Sequence, residues 1–146
     1  MQKFIMMCGL PGSGKSTYAK KHFVGENIEY LSSDELREEL LGDENNQEEN
    51  NKIFEEMERR TISALKAGKS VVYDACNTSY KKRSHLIKQI NRYHVYKICV
   101  VVYADLADCY VSLNRKNDAV KLLEEYLKSD GRNNIIRTAL EKINRS

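Results

Sequence analysis

The chain has 146 residues, with 24 Lys and Arg against 21 Asp and Glu, a formal charge of +3, and 41% hydrophobic residues. This is one domain's worth of ordinary globular composition, which excludes disordered, collagen-like and low-complexity chains. The longest apolar run, residues 98–103, is far shorter than the roughly 20 residues of a membrane span, and the N-terminus shows neither a signal-peptide cleavage pattern nor an Arg/Ser-rich transit segment, so the expected location is the cytoplasm and no membrane partner is expected.

Residues 3–8 are short and apolar, with Phe4, Ile5, Met6 and Met7 in a row, which predicts a strand buried on both faces. A loop over residues 9–14 leads to a helix from Lys15 to about Val24, and residues 28–31 read as a second short strand. Ser32 and Glu35 stand at capping-box spacing and open a helix to about Leu41. Residues 43–51 form an acidic, Asn-rich connection. A long helix over residues 48–67 follows, with Ile53, Phe54, Met57, Thr61, Ala64 and Leu65 on one stripe and Gly68 as its stop.

The third strand, residues 70–73, ends at Asp74. Thr78 or Ser79 starts a basic helix to about Tyr93, with Leu86, Ile87 and Ile90 inward and Lys81, Lys82, Arg83, Lys88 and Arg92 on its polar side. Residues 96–103 are the fourth and most apolar strand, followed by Asp105. The remainder reads as two or three helical pieces, broken near residues 114–118 and 130–134, the last carrying a stripe of Ile135, Ile136, Ala139, Leu140 and Ile143.

Charge is distributed unevenly along the chain. Residues 26–60 hold 13 acids and 4 bases, whereas residues 61–103 hold 8 bases and 1 acid, which suggests differently charged faces on one domain. The basic part suits a polyanion such as nucleic acid, or is simply a solvated helix face. The four cysteines, Cys8, Cys76, Cys99 and Cys109, lack C-x-x-C spacing and are expected to be reduced thiols, buried or half-buried.

Gly9-Leu10-Pro11-Gly12-Ser13-Gly14-Lys15-Ser16 satisfies G-x-x-x-x-G-K-[ST], and Thr17 follows. Glycines let successive backbone N–H groups converge on an anion, and the helix that follows adds its N-terminal dipole. Gly12, Ser13, Gly14, Lys15, Ser16 and Thr17 are therefore the expected triphosphate-binding residues for ATP or another NTP. Lys15 would reach the β/γ-phosphates and the Ser16 hydroxyl would hold Mg²⁺. The alternation of strands and helices completes an α/β expectation: a three-layer P-loop NTPase fold, with a small parallel sheet of four or five strands and helices on both faces. A single domain over residues 1–146 is expected, its core over residues 1–105 and a helical lid with C-terminal helices over residues 106–146.

In such a sheet ligands bind beyond the carboxyl ends of the strands. That places Ser32-Ser33-Asp34, Asp74-Ala75-Cys76-Asn77 and Ala104-Asp105 at the crevice. Neither Asp74 nor Asp105 is followed by Glu, as it would be in a motor or switch ATPase, and the length suits a small kinase. Asp34 is placed either to take a proton from an attacking hydroxyl or merely to favour a helix N-terminus. Arg37, one turn on, is placed either to hold a substrate phosphate or to pair with an acidic neighbour such as Glu38.

Together with the glycine loop, Leu31-Ser32-Ser33-Asp34-Glu35-Leu36-Arg37 and Val72-Tyr73-Asp74-Ala75-Cys76-Asn77 resemble the 5′-polynucleotide kinase family over roughly residues 1–105. The resemblance implies that Asp34 is the general base on the 5′-hydroxyl and that Arg37 contacts the neighbouring nucleic-acid phosphate. It also implies that Asp74 and Asn77 lie near the acceptor, with Lys15 and Ser16 in their phosphate and magnesium roles. Cys76 stands where the family more often has Thr. The family's lid arginine corresponds to Arg115, with Lys116 as substitute; by position alone Arg115 is also a helix-end cation. Residues 118–146 read helical where the family has a further strand and helix, and would pack on the domain or on a second copy of it.

The expected activity is transfer of the γ-phosphoryl group of ATP to a hydroxyl, the 5′ end of single-stranded RNA or DNA first. A small-molecule or sugar-nucleotide kinase is the alternative on the same scaffold, and a non-catalytic nucleotide-binding module the third reading. A homo-oligomer is compatible with all three.

Overall fold

The computed structural model describes residues 1–104, 106–129 and 134–145. Its elements are β1 (Lys3–Cys8), α1 (Lys15–His22), β2 (Ile28–Ser32), α2 (Ser33–Leu41), α3 (Asn50–Lys66), β3 (Ser70–Asp74), α4 (Tyr80–Ile90) with a 3₁₀ turn (Asn91–Tyr93), β4 (Tyr96–Val101), α5 (Leu106–Ser112), α6 (Lys116–Ser129) and α7 (Asn134–Arg145). By contacts the chain divides into two units. The first comprises Met1–Gly9 and Lys15–Val102, and the second Leu10–Gly14 and Tyr103–Ser146.

In the first unit four parallel strands pair in the order β2-β3-β1-β4. Alternate residues of β1 point to opposite faces. Phe4, Met6 and Cys8 meet Leu36 of α2, Ile53 and Met57 of α3, and Leu86 and Ile90 of α4. On the other face Ile5 and Met7 meet Ala19 and Phe23 beneath α1. This partition follows from right-handed crossovers. The β1-to-β2 connection runs in one direction along the sheet, and the β2-to-β3 and β3-to-β4 connections run in the other, so their helices fall on opposite faces. The three-layer α/β arrangement is thus as expected from the sequence, with four strands among the described residues.

Local chemistry sets the element ends. The Ser32 hydroxyl accepts from the Asp34 and Glu35 backbone N–H groups at 3.3 and 3.4 Å and caps α2. Glu35 extends instead to Lys20 of α1, 2.7 Å away. The stripe expected on the long helix is seen on α3, where Ile53, Met57, Thr61, Ala64 and Leu65 are buried. The Thr61 hydroxyl is satisfied by donating to the Met57 carbonyl at 2.8 Å.

Two expectations are corrected. The helix after the glycine loop ends at His22 rather than Val24. The fourth strand, β4, ends at Val101 rather than Tyr103, and at the sheet edge among the described residues it leaves Val101 70% exposed. Elements of the acidic and basic segments share one layer. α3 and α4 lie in one layer, where His85 faces Glu58 at 3.6 Å and the Lys82 ammonium sits 4.6 Å from the Phe54 ring centroid. Both helices follow crossovers of the same direction, which forces them onto the same face.

The second unit contains α5, α6 and α7. Ala119 and Leu123 of α6 pack against Ile143 of α7, with Val120, Ala139 and Leu140 beside them. Ala139, Leu140 and Ile143 of the expected stripe are therefore in contact with another helix. Asp105 and residues 130–133 lie outside the described residues, and the side chains of Ile135 and Ile136 are likewise outside them.

Candidate active site

Adjacent strands β1 and β3 send their chains to opposite faces of the sheet, β1 into α1 and β3 into α4. The crevice opened by such a reversal is the usual ligand position in this architecture. Asp74, the last residue of β3, pairs in register with Met7 of β1 and with Ser32 of β2. One carboxylate therefore stands between the strand leading to the glycine loop and the strand leading to Asp34.

Asp74 is 2% exposed. Its Oδ2 accepts a hydrogen bond from the Tyr30 hydroxyl at 2.5 Å, whereas its Oδ1 is buried without a partner. Ser16, the second residue of α1, interacts with the same Tyr30 phenol. Burial, and then the hydrogen bond from Tyr30 to Asp74, push the phenol's pKa well above its ordinary value, so Tyr30 stays protonated and remains a donor at neutral pH. An unsatisfied buried carboxylate oxygen beside a hydroxyl is a hard-oxygen donor set of the kind Mg²⁺ uses. Sequence reasoning passed over Tyr30. Its only signal was a polar-tipped aromatic two residues before Ser32 on the inward side of a strand.

Lys15, the first residue of α1, is 7% exposed and has no anionic partner among the described residues. Just before it, Gly12 and Gly14 take left-handed φ values of 77° and 85°. The Ser13 N–H closes a turn onto the Leu10 carbonyl at 3.2 Å, and the Ser13 hydroxyl is buried without a partner. At Gly12 a side chain is excluded twice over: the φ disfavours it, and a Cβ would run into the Cys109 carbonyl oxygen and the Leu113 side chain. Thr17 is exposed.

Arg37 is buried, at 5% exposure, rather than a surface residue, and its acidic partner is Asp34 rather than Glu38. Its Nη1 meets Asp34 Oδ1 at 2.6 Å, its Nη2 donates to Asn50 Oδ1 at 2.8 Å, and its Nε is buried without a partner. The Asp34 side chain remains 56% exposed. Asp34 and Arg37 are thus brought together, with Asn50 from the start of α3 as a third member that carried no sequence signal. Asn77 takes a left-handed φ of 50°, and its side-chain amide donates to the Met7 carbonyl at 2.7 Å. That bond ties the end of β3 to the end of β1. Gly12, Ser13 and Gly14 fall in the second unit, as does Arg115 in the turn between α5 and α6. Arg115 pairs with Asp118 at 2.8 Å, and its carbonyl accepts from the Asp118 and Ala119 N–H groups at the start of α6.

A parallel sheet with a glycine loop between its first strand and first helix defines a three-layer, P-loop-like α/β protein. Residues 4–133 match the AAA domain, and the chain belongs to that family. No curated protein matches the sequence. Among solved structures, a chain of a Pnkp1/Rnl/Hen1 complex superposes with a TM-score of 0.66 at 24% identity, over 75% of this chain and 38% of the other. A chain of the Pnkp1/Rnl/Hen1 RNA repair complex superposes with a TM-score of 0.63 at 19% identity, over 99% of this chain and 44% of the other. At these identities the likeness is one of fold, and this chain spans less than half the length of either. No helix among the described residues is long and apolar enough to cross a membrane.

Proposed function

We propose that this protein is an ATP-dependent kinase that phosphorylates the 5′-hydroxyl end of an RNA or DNA strand. The observation that carries the reading is Lys15, a buried cation without an anion among the described residues, at the first residue of a helix entered from a glycine loop. A buried unpaired ammonium is costly, and a triphosphate supplies the missing charge. The loop amides and Lys15 would hold the triphosphate. Ser16 and Asp74 would hold Mg²⁺, which would supply charge neutralisation at the transferring group.

Asp34 supports the choice of a hydroxyl acceptor. Its side chain is half exposed just past the end of β2, and the Arg37 guanidinium meets it at 2.6 Å. Its carboxylate takes the proton of the attacking hydroxyl. The hydroxyl oxygen forms a bond to the γ-phosphorus, the bond from that phosphorus to the bridging oxygen breaks, and ADP leaves with the electron pair. Arg37 orients Asp34, and its remaining donor capacity serves the phosphate next to the reacting hydroxyl. One structural neighbour belongs to an RNA repair complex, which supports a nucleic-acid end as acceptor.

Incubation with γ-labelled ATP and a panel of 5′-hydroxyl RNA, 5′-hydroxyl DNA, nucleosides and sugar nucleotides tests the reading. Label on the oligonucleotides is expected. Label confined to nucleosides or sugar nucleotides makes the protein a small-molecule kinase, and ATP binding without any transfer makes it a binding module.

A further inference from the structure

One cysteine departs from expectation: Cys99 is exposed rather than buried or half-buried. It lies on β4 opposite Met6, while Cys8 lies opposite Val101, so Cys8 and Cys99 are diagonal neighbours on one face of a parallel strand pair. Their sulfurs are 3.4 Å apart. Closure to a disulfide needs a sulfur separation of about 2.05 Å, a displacement within reach of side-chain rotation and small backbone adjustment.

We propose that Cys8 and Cys99 form a reversible thiol–disulfide site, oxidised by hydroperoxides, at the root of the glycine loop. Cys99 is the residue a peroxide meets first, since Cys8 is buried. The Cys99 thiolate attacks the terminal peroxide oxygen, the O–O bond breaks, and hydroxide or alkoxide leaves, taking the proton released by the thiol; the sulfur becomes a sulfenic acid. The Cys8 sulfur then attacks the sulfenic sulfur, the S–O bond breaks, and the departing hydroxide takes the Cys8 proton as water. In total, two thiols and one hydroperoxide give one disulfide, one water and one water or alcohol.

The division of labour has a physical basis. Burial, and then the adjacent Cys99, push the Cys8 thiol up to about 12, so it keeps its proton until the sulfenic acid forms beside it. Arg83 of α4 opposes that effect and favours charge on the Cys8 sulfur during its attack. The location matters for the loop. Cys8 is the last residue of β1, its carbonyl accepts from the Val102 N–H at 2.8 Å, and the next residue, Gly9, donates to the Cys76 carbonyl at 3.0 Å. A covalent bond at Cys8 therefore acts on the backbone from which the loop departs. The inference does not depend on the kinase reading.

The test is hydrogen peroxide titration of the purified protein, followed by alkylation, intact mass measurement and peptide mapping. The expected result is loss of two hydrogens and of two alkylatable thiols, reversed by dithiothreitol, with a peptide containing Cys8 linked to Cys99. Cys99 and Cys109 share one tryptic peptide, residues 98–115, so fragment spectra must place the link. Cys99→Ser, a change at an exposed site, should abolish the two-hydrogen loss, and Cys76→Ser should leave it intact. The proposal is overturned if Cys99→Ser still loses two hydrogens, if the link falls on Cys76 or Cys109, or if the wild type gains oxygen or stays fully alkylatable.

Discussion

Lys15 is the side chain whose environment most constrains function. A lysine kept for packing gains from an acidic partner, and Lys15 has none among the described residues. Lys15→Met should leave the melting temperature without nucleotide unchanged or raised, and should remove the rise that ATP produces in the wild type. A fall in the unliganded melting temperature with a preserved ATP response would make Lys15 structural. Asp34→Asn should keep ATP binding and slow transfer by about 10²–10⁴-fold, the usual worth of a general base; a rate within a few-fold of wild type assigns proton removal elsewhere. Among the described residues, Tyr30→Phe deletes the one donor to Asp74 Oδ2 and leaves both carboxylate oxygens buried without partners. Its expected cost is about 1–3 kcal/mol in a urea titration without Mg²⁺. The cost should shrink when Mg²⁺ and ATP are present if Asp74 holds the ion.

At the scale of elements, α2 and α3 are joined by a charge network rather than by apolar contact alone. Arg60 of α3 binds Glu39 of α2 at 2.6 Å, and Glu56 accepts from Arg59 and Arg60 at 2.6 and 2.7 Å. The hydrogen bonds from Arg59 and then Arg60 hold the Glu56 carboxyl down at about 2, against an ordinary 4.5. A depressed carboxylate contributes stability that is fully present above its unfolded value and is lost as pH falls through its folded value. Stability should therefore decline from about pH 4.5 toward pH 2, and Glu56→Gln should flatten that part of the profile. The pairs lie at the surface with Glu56 half-buried and Arg59 exposed, so solvent screening keeps the difference to about 1 kcal/mol. An unchanged acid limb in Glu56→Gln would show that the network carries no stability.

For the whole molecule, the +3 total conceals an acidic helix, α2, with four acids and one base, in the same layer as basic α4, with four Lys and Arg and no acid. α4 keeps Lys81, Lys82 and Arg83 beside Tyr80, which is 77% exposed. If a nucleic-acid strand lies along this helix, log affinity for an oligonucleotide should fall linearly with log salt, and Lys81→Ala/Lys82→Ala should reduce the slope by about 1–2. A flat response in the wild type removes α4 from the interface.

The parts legible in the sequence were those made by neighbouring residues. The glycine loop, the cap at Ser32, the stripe on α3 and the alternation of strand and helix each depend on a few consecutive positions, whose steric and hydrogen-bonding preferences act locally. From them the α/β class and the residues Lys15, Ser16, Asp34, Arg37, Asp74 and Asn77 could be picked out. Tertiary structure decided the strand order, the edge position of β4, the burial of Arg37 between Asp34 and Asn50, the hold of Tyr30 on Asp74, and the approach of Cys8 to Cys99. Those facts join residues on different elements, and what joins them is strand register and crossover handedness, which no stretch of sequence expresses by itself.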